Sequence, residues 1–136
     1  MCLKHVEKTE VRTGYKVMRI SRTGDFLNFD RPANESPAKV IGVWYTAEPI
    51  MINSDSDGEY MAGFHICTTK KGAAKYANYW DSAHIVKVLY RFVFNRGTQR
   101  QSNISCVTAY QMQIVEDCGT IREVYKKLHI GQWRRM

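Results

Sequence analysis

The chain has no apolar run long enough to cross a bilayer, and its opening, MCLKHVEKTEVRTG, lacks the apolar centre of a secretory signal. Both absences lead to a cytoplasmic expectation, in the cell that makes the protein or in an infected host. The four cysteines, Cys2, Cys67, Cys106 and Cys118, form no CxxC pair, which argues against a zinc ribbon or finger. Without a secretion signal, free thiols are the expected state. Cys67 and Cys106 fall inside strand-like runs and read as small buried hydrophobes. His5, His65, His84 and His129 never take HxH, HxxxH or HExxH spacing, and neither GxxxxGK(S/T) nor GxGxxG occurs. Kinase, P-loop and Rossmann chemistry are set aside on that ground. Asp55-Ser56-Asp57-Gly58 opens like a calcium loop, but no glutamate follows at the twelfth position, so it reads as a solvated turn. Neither a metal nor a membrane partner is expected.

Acids are the scarcer charge, thirteen against twenty bases, for a formal +7 over 136 residues. The excess is uneven. Residues 63–100 hold Lys70, Lys71, Lys75, Lys87, Arg91, Arg96 and Arg100 against one acid, Asp81, whereas residues 33–62 hold five acids against Lys39. A basic region of this size attracts phosphate-bearing partners or acidic protein surfaces, and serves equally as a solubility charge. No RGG tract, basic block or basic helix of the kind that enters a DNA groove accompanies it. Lys70, Lys71, Lys75, Arg91, Arg96 and Arg100 are the candidate contacts to nucleic acid or to an acidic partner.

Ordinary hydrophobic (44%) and charged (24%) fractions fit one globular domain. Residues 1–13 read as a leader with a short strand at Lys4–Val6, residues 14–128 as the domain, and residues 129–136 as a basic tail with Trp133. Tyr15–Ile20 alternates as a strand, with Tyr15, Val17 and Arg19 on one face, and forms a hairpin through Gly24 with Phe26–Phe29. Pro32 and Pro37 mark a loop. Val40–Ala47 is β-branched and aromatic and reads as a strand ended by Pro49; Met51–Glu59 reads as an exposed loop.

The densest signal runs from Gly63. GFHICTT is a short strand ending in two threonines, KKGAAKYANYW has helical spacing over Thr69–Trp80, and HIVKVLYRFVF is a long strand. Ala73, Tyr76, Ala77 and Trp80 share a helix face and are expected in the core. Hydroxyls at a strand-to-helix junction suit a polar ligand or an ordinary helix cap. His65, between Phe64 and Ile66, points to the opposite face from both and is the general acid or base candidate. Tyr90-Arg91-Phe92 interleaves base and aromatics as single-stranded nucleic-acid binders do; a strand with one wet face has the same pattern and is the preferred reading. Asn95–Asn103 reads as a loop, Ser105–Val115 as a central strand, and Thr120–Leu128 as a helix with Thr120 and Glu123 in capping-box positions. The sum is an α+β domain: a mostly antiparallel sheet of about six strands, one internal helix and one C-terminal helix.

The order strand, G-aromatic-x-apolar-x-T-T, helix with AAKYA, and long apolar strand resembles the central part of ADP-ribosyltransferase-like domains. That resemblance covers roughly residues 15–116. It implies a nucleotide-handling enzyme that uses NAD, in which Arg19 of VMRIS holds the nicotinamide nucleotide and Thr68 and Thr69 line the ligand, with Tyr76 behind them. Gln111 and Gln113 in AYQMQIVE stand where that superfamily places paired glutamates, and Glu116 follows three residues later. A glutamine can hydrogen-bond a ribose but cannot stabilise an oxocarbenium-like charge as a carboxylate does. The GYKV opening, the GFH-x-x-x-T middle and the V-x-A-x-x-M-x-I ending also resemble small proteins of phages and mobile elements, which implies a compact accessory or host-interaction role. The leading expectation is a viral or mobile-element accessory factor that binds nucleic acid or a host protein without catalysis or cofactor.

Overall fold

The computed structural model describes residues 10–28, 38–47, 50–54, 58–76, 82–99 and 104–128. In chain order they form β1 (Arg12–Ile20), β2 (Phe26–Asn28), β3 (Trp44–Thr46), β4 (Ile50–Ser54), β5 (Gly58–Ala62), β6 (Phe64–Cys67), α1 (Lys70–Tyr76), β7 (His84–Gln99), β8 (Ile104–Thr120) and α2 (Ile121–Leu128). The fold is the expected α+β domain, with six strands in one antiparallel sheet and β4–β5 as a separate hairpin.

The long β7–β8 hairpin organises everything else. On its far side β7 pairs β1, from Arg12↔Tyr90 to Met18↔His84. On its far side β8 pairs β6 and then β3, so β8 is central, as its length implied. β6 and β1 then meet at Tyr15↔Cys67, which closes β1, β7, β8 and β6 into a circuit. Gly14 permits that closure. A Cβ there would collide with Ile66 and stand 3.0 Å from the Tyr90 ring and from the Cys67 carbonyl.

Closure gives the strands an enclosed face and an outer one. Met18, Ile66, Val86, Val88, Tyr90, Val107, Met112 and Ile114 fill the enclosed face. Val17, Cys67, Ile85 and Ile104 turn outward and are covered by Ala73 and Ala74 of α1 and by Ile121, Val124 and Tyr125 of α2. The i, i+3, i+4 spacing of those α2 residues puts them on one stripe. Its start is the expected capping box: Glu123 N–H donates to Thr120 Oγ1 (3.2 Å), and Thr120 N–H donates to Glu123 Oε1 (2.8 Å).

Several boundaries differ from the sequence reading. β1 begins at Arg12, inside the segment read as leader; Lys4–Val6, Pro32, Pro37 and the tail 129–136 lie outside the described residues. Only Trp44–Thr46 of the 40–47 run is strand, because Gly42 adopts φ 91° and its N–H donates to the Ile114 carbonyl, turning the chain. The 51–59 loop is instead the β4–β5 hairpin, with Ile50↔Ala62 through Ser54↔Gly58 in register; residues 55–57 are not described. The 95–103 loop is strand as far as Gln99, since thirteen rungs of pairing to β8, from His84↔Thr120 to Gln99↔Ile104, outweigh its polar composition. Tyr76 is not core: it is 36% exposed, and α1 buries Gly72, Ala73 and Ala74 instead. Ala77 and Trp80 lie outside the described residues.

Candidate functional site

Strand alternation breaks at one level of the β7–β8 hairpin. Along β7 the positions on the enclosed face run Val86, Val88, Tyr90 and then Val93; along β8 they run Ile114, Met112 and then Ala109, Val107. Tyr90 pairs Met112, Arg91 pairs Gln111 and Val93 pairs Ala109, so both strands skip at the same rungs. Phe92 absorbs the change with φ 59°, the one positive value among described non-glycine residues. A left-handed conformation costs a side-chain-bearing residue about 1–2 kcal/mol and persists where the surroundings over-determine it. The result places Arg91, Phe92, Tyr110 and Gln111 together, half-buried and outside both core clusters.

The four are locked to one another and to β3. Arg91 Nε donates to Gln111 Oε1 at 2.6 Å, and Gln111 Nε2 donates to Thr46 Oγ1 at 3.2 Å. That relay holds the Arg91 guanidinium 4.1 Å from the centroid of the Trp44 ring and 5.6 Å from that of Phe92. Cation–π contacts of this kind contribute about 0.5–2 kcal/mol. Tyr110 meets Phe92 and Phe94 edge-on, with centroids 6.4 and 5.8 Å apart. The register Trp44↔Gln113 and Thr46↔Gln111 sets β3 beside these residues. No acidic residue occurs in Trp44–Thr46, Arg91–Phe94 or Tyr110–Gln113. The site is a planar cation clamped on an aromatic sheet surface.

No family model matches this chain, and comparison with curated proteins and with solved structures finds no match. Function rests on the geometry.

Of the residues singled out in the sequence, the structure joins Arg91 and Gln111 directly and leaves Gln113 two rungs away, opposite Leu89 and Trp44. Arg96 lies further along β7 opposite Val107, with an exposed side chain. Arg100 lies outside the described residues. Thr68 and Thr69 sit at the other end of β6. Thr69 Oγ1 accepts the Gly72 N–H at 2.9 Å, an ordinary helix cap, and Thr68 Oγ1 donates to the Ser105 carbonyl at 3.4 Å. His65 is exposed opposite Thr108, and its carbonyl accepts the Lys16 ammonium at 2.8 Å. Arg19 pairs Leu27 of β2, four residues along β1 from the Tyr15↔Cys67 closure.

Lys70, Lys71 and Lys75 lie on α1. Lys70 and Lys127 share a shallow cleft of about 190 Å³ with Glu116, Asp117, Cys118 and Val124. Asp117 also accepts from Gly119 N–H and stands 3.0 Å from His84 Nδ1. Burial pushes the Cys118 thiol up, and Lys70 opposes that rise. Cations and carboxylates offset each other here. Among the described residues no three His, Cys, Asp or Glu side chains group to hold a metal ion, and no helix is long and apolar enough to cross a membrane.

Sequence reasoning missed Trp44 and Thr46 as site residues. Their segment announced a strand and nothing more. The signal for Arg91 and Phe92 was the interleaved Tyr90-Arg91-Phe92, but strict alternation put Phe92 on the face with Tyr90, and only the slip at φ 59° turns it out.

Proposed function

We propose that this domain binds single-stranded nucleic acid, without catalysis, on the sheet surface formed by β3, β7 and β8. The observation that carries the reading is the Arg91 guanidinium held 4.1 Å from the centroid of the Trp44 ring while bonded to Gln111. Bases stack on aromatic rings and on guanidinium planes alike, and stacking tolerates any sequence because every base has a π-face. Arg96, further along β7, and the chain's +7 charge supply attraction to the phosphates. The lysines of α1 support it less, because Lys70 shares its cleft with Glu116 and Asp117. Such a binding module suits the compact viral or mobile-element accessory role that the second resemblance implies.

Fluorescence polarisation against single-stranded RNA, single-stranded DNA and duplex DNA, each across a salt series, tests the proposal. Single strands are expected to bind more tightly than duplex, with a log–log salt slope of about −0.7 for each phosphate contacted. Trp44→Ala removes one stacking surface, worth about 1–3 kcal/mol, and should weaken binding roughly ten- to a hundredfold. Equal affinity for duplex, or an unchanged Trp44→Ala, would overturn the reading; no binding at low salt would redirect it to an acidic protein surface.

One observation keeps the NAD-handling enzyme as a second reading: Glu116 and Lys70, the residue after Thr68–Thr69, line the same cleft. It ranks lower because Thr69 already caps α1 and Gln111 is engaged by Arg91 and Thr46. Thermal melts with NAD, ADP-ribose and ATP separate the two, since a ligand at a hundred times its Kd adds about 2.7 kcal/mol of stability.

A further inference from the structure

Cys67 of β6 and Cys106 of β8 are direct cross-strand partners, with sulfurs 3.9 Å apart. The next rung shows which kind of pair they form. Thr68 N–H donates to the carbonyl of Ser105, its opposite residue, at 3.0 Å, so Thr68–Ser105 is a hydrogen-bonded rung and Cys67–Cys106 the non-hydrogen-bonded rung beside it. Such rungs bring Cα atoms to about 4.5 Å, the closer of the two antiparallel spacings, and inside the roughly 4.4–6.8 Å that a disulfide spans. Both cysteines are reduced thiols. Cys67 is 6% exposed beneath α1, while Cys106 is half-buried.

We propose that Cys67 and Cys106 form an oxidation site at which a hydroperoxide closes a reversible disulfide between β6 and β8. The more accessible Cys106 thiolate attacks the peroxide oxygen and becomes a sulfenic acid as the O–O bond breaks and hydroxide leaves. Cys67 then attacks the Cys106 sulfur, the S–O bond breaks and, with its thiol proton, a second water equivalent leaves. Two thiols and one hydrogen peroxide thus give one disulfide and two waters. The order of attack fits the environment: Cys67 is buried beneath α1, where the hydrogen bond with Cys106 and then burial push its thiol up, while the half-buried Cys106 is the sulfur that an oxidant reaches first. Closing the sulfurs from 3.9 Å to about 2.05 Å requires side-chain rotation on strands already in register.

The native protein is treated with hydrogen peroxide, its remaining thiols are alkylated, and the digest is mapped by mass spectrometry. The expected product is a single cross-linked peptide joining Cys67 to Cys106, with Cys118 still alkylated and dithiothreitol restoring both thiols. Because the cross-link spans a long loop, the oxidised protein should melt on the order of 10 °C higher. In Cys67→Ala the sulfenic acid on Cys106 should persist and react with dimedone. A wild-type Cys106 that stops at sulfenic or sulfinic acid while Cys67 is alkylated, a bond to Cys118 instead, or a disulfide that lowers the melting temperature would each overturn the proposal.

Discussion

Gly63 should be the least replaceable small residue at the edge of the aromatic surface. It sits between β5 and β6, immediately before the Phe64↔Ala109 rung. A methyl group placed on it would overlap the Ala109 carbonyl oxygen, stand 3.1 Å from its carbonyl carbon and lie 3.2 Å from Cε2 of Phe94. A flexible side chain could yield, but two of these atoms belong to the backbone of the central strand. Overpacking of this kind costs about 1–3 kcal/mol and more where backbone must move, against about 0.4–1 kcal/mol gained by restricting the unfolded chain. The net expectation for Gly63→Ala is a loss of about 2–3 kcal/mol, or a fall in Tm of about 8–12 °C. Gly97 is the control: it lies on the same hairpin, an added methyl would meet nothing within 4 Å, and its backbone angle is ordinary for a side chain. Gly97→Ala should hold or gain about 0.5 kcal/mol. Thermal and urea unfolding followed by circular dichroism decide the matter. A Gly63→Ala variant as stable as Gly97→Ala would refute the close packing of β6 on β8.

Two titratable groups give pH-dependent expectations. The Thr120 backbone N–H and then its side chain hold the Glu123 carboxyl below the usual carboxylate range, so its contribution to stability is present above that range and lost as pH falls through the lowered folded value. Glu123→Gln keeps the acceptor but cannot titrate, and its urea midpoint should fall less steeply than wild type on acidification. Lys39 is 4% exposed between the rings of Tyr45 and Phe64, and burial lowers its pKa from 10.5. Between the lowered folded value and 10.5 the unfolded chain binds more protons, so this group makes stability rise with pH; Lys39→Met should flatten that alkaline rise, and an unchanged slope would contradict the assignment.

The α+β class was legible because its signals were local. The apolar runs of β1, β6, β7 and β8, the Thr120–Glu123 capping box and the Gly24 turn each declare themselves within a few residues. The strand extensions were not legible, since Asn95–Gln99 and Gly58–Ala62 owe their conformation to pairing with distant or polar partners. Tyr76 misled for a related reason: α1 is short and packs through Gly72, Ala73 and Ala74, so the larger side chain stays at its rim. At the site, Arg91 and Gln111 were each marked separately, on different arguments. What joins them is the pairing register of β7 on β8, across twenty residues of sequence, and the skip beside them that turns Phe92 and Tyr110 out is recorded in neither strand's own sequence.

Ultraviolet cross-linking of the protein to a single-stranded pyrimidine-rich oligonucleotide, followed by mass-spectrometric mapping of the attached peptides, puts the binding surface to the sharpest test. If bases stack on the sheet, adducts should fall on Trp44, Phe92 or Tyr110 and should diminish in Arg91→Ala. Adducts confined to α1, around Lys70–Tyr76, would contradict that surface and move binding to the lysine-bearing helix.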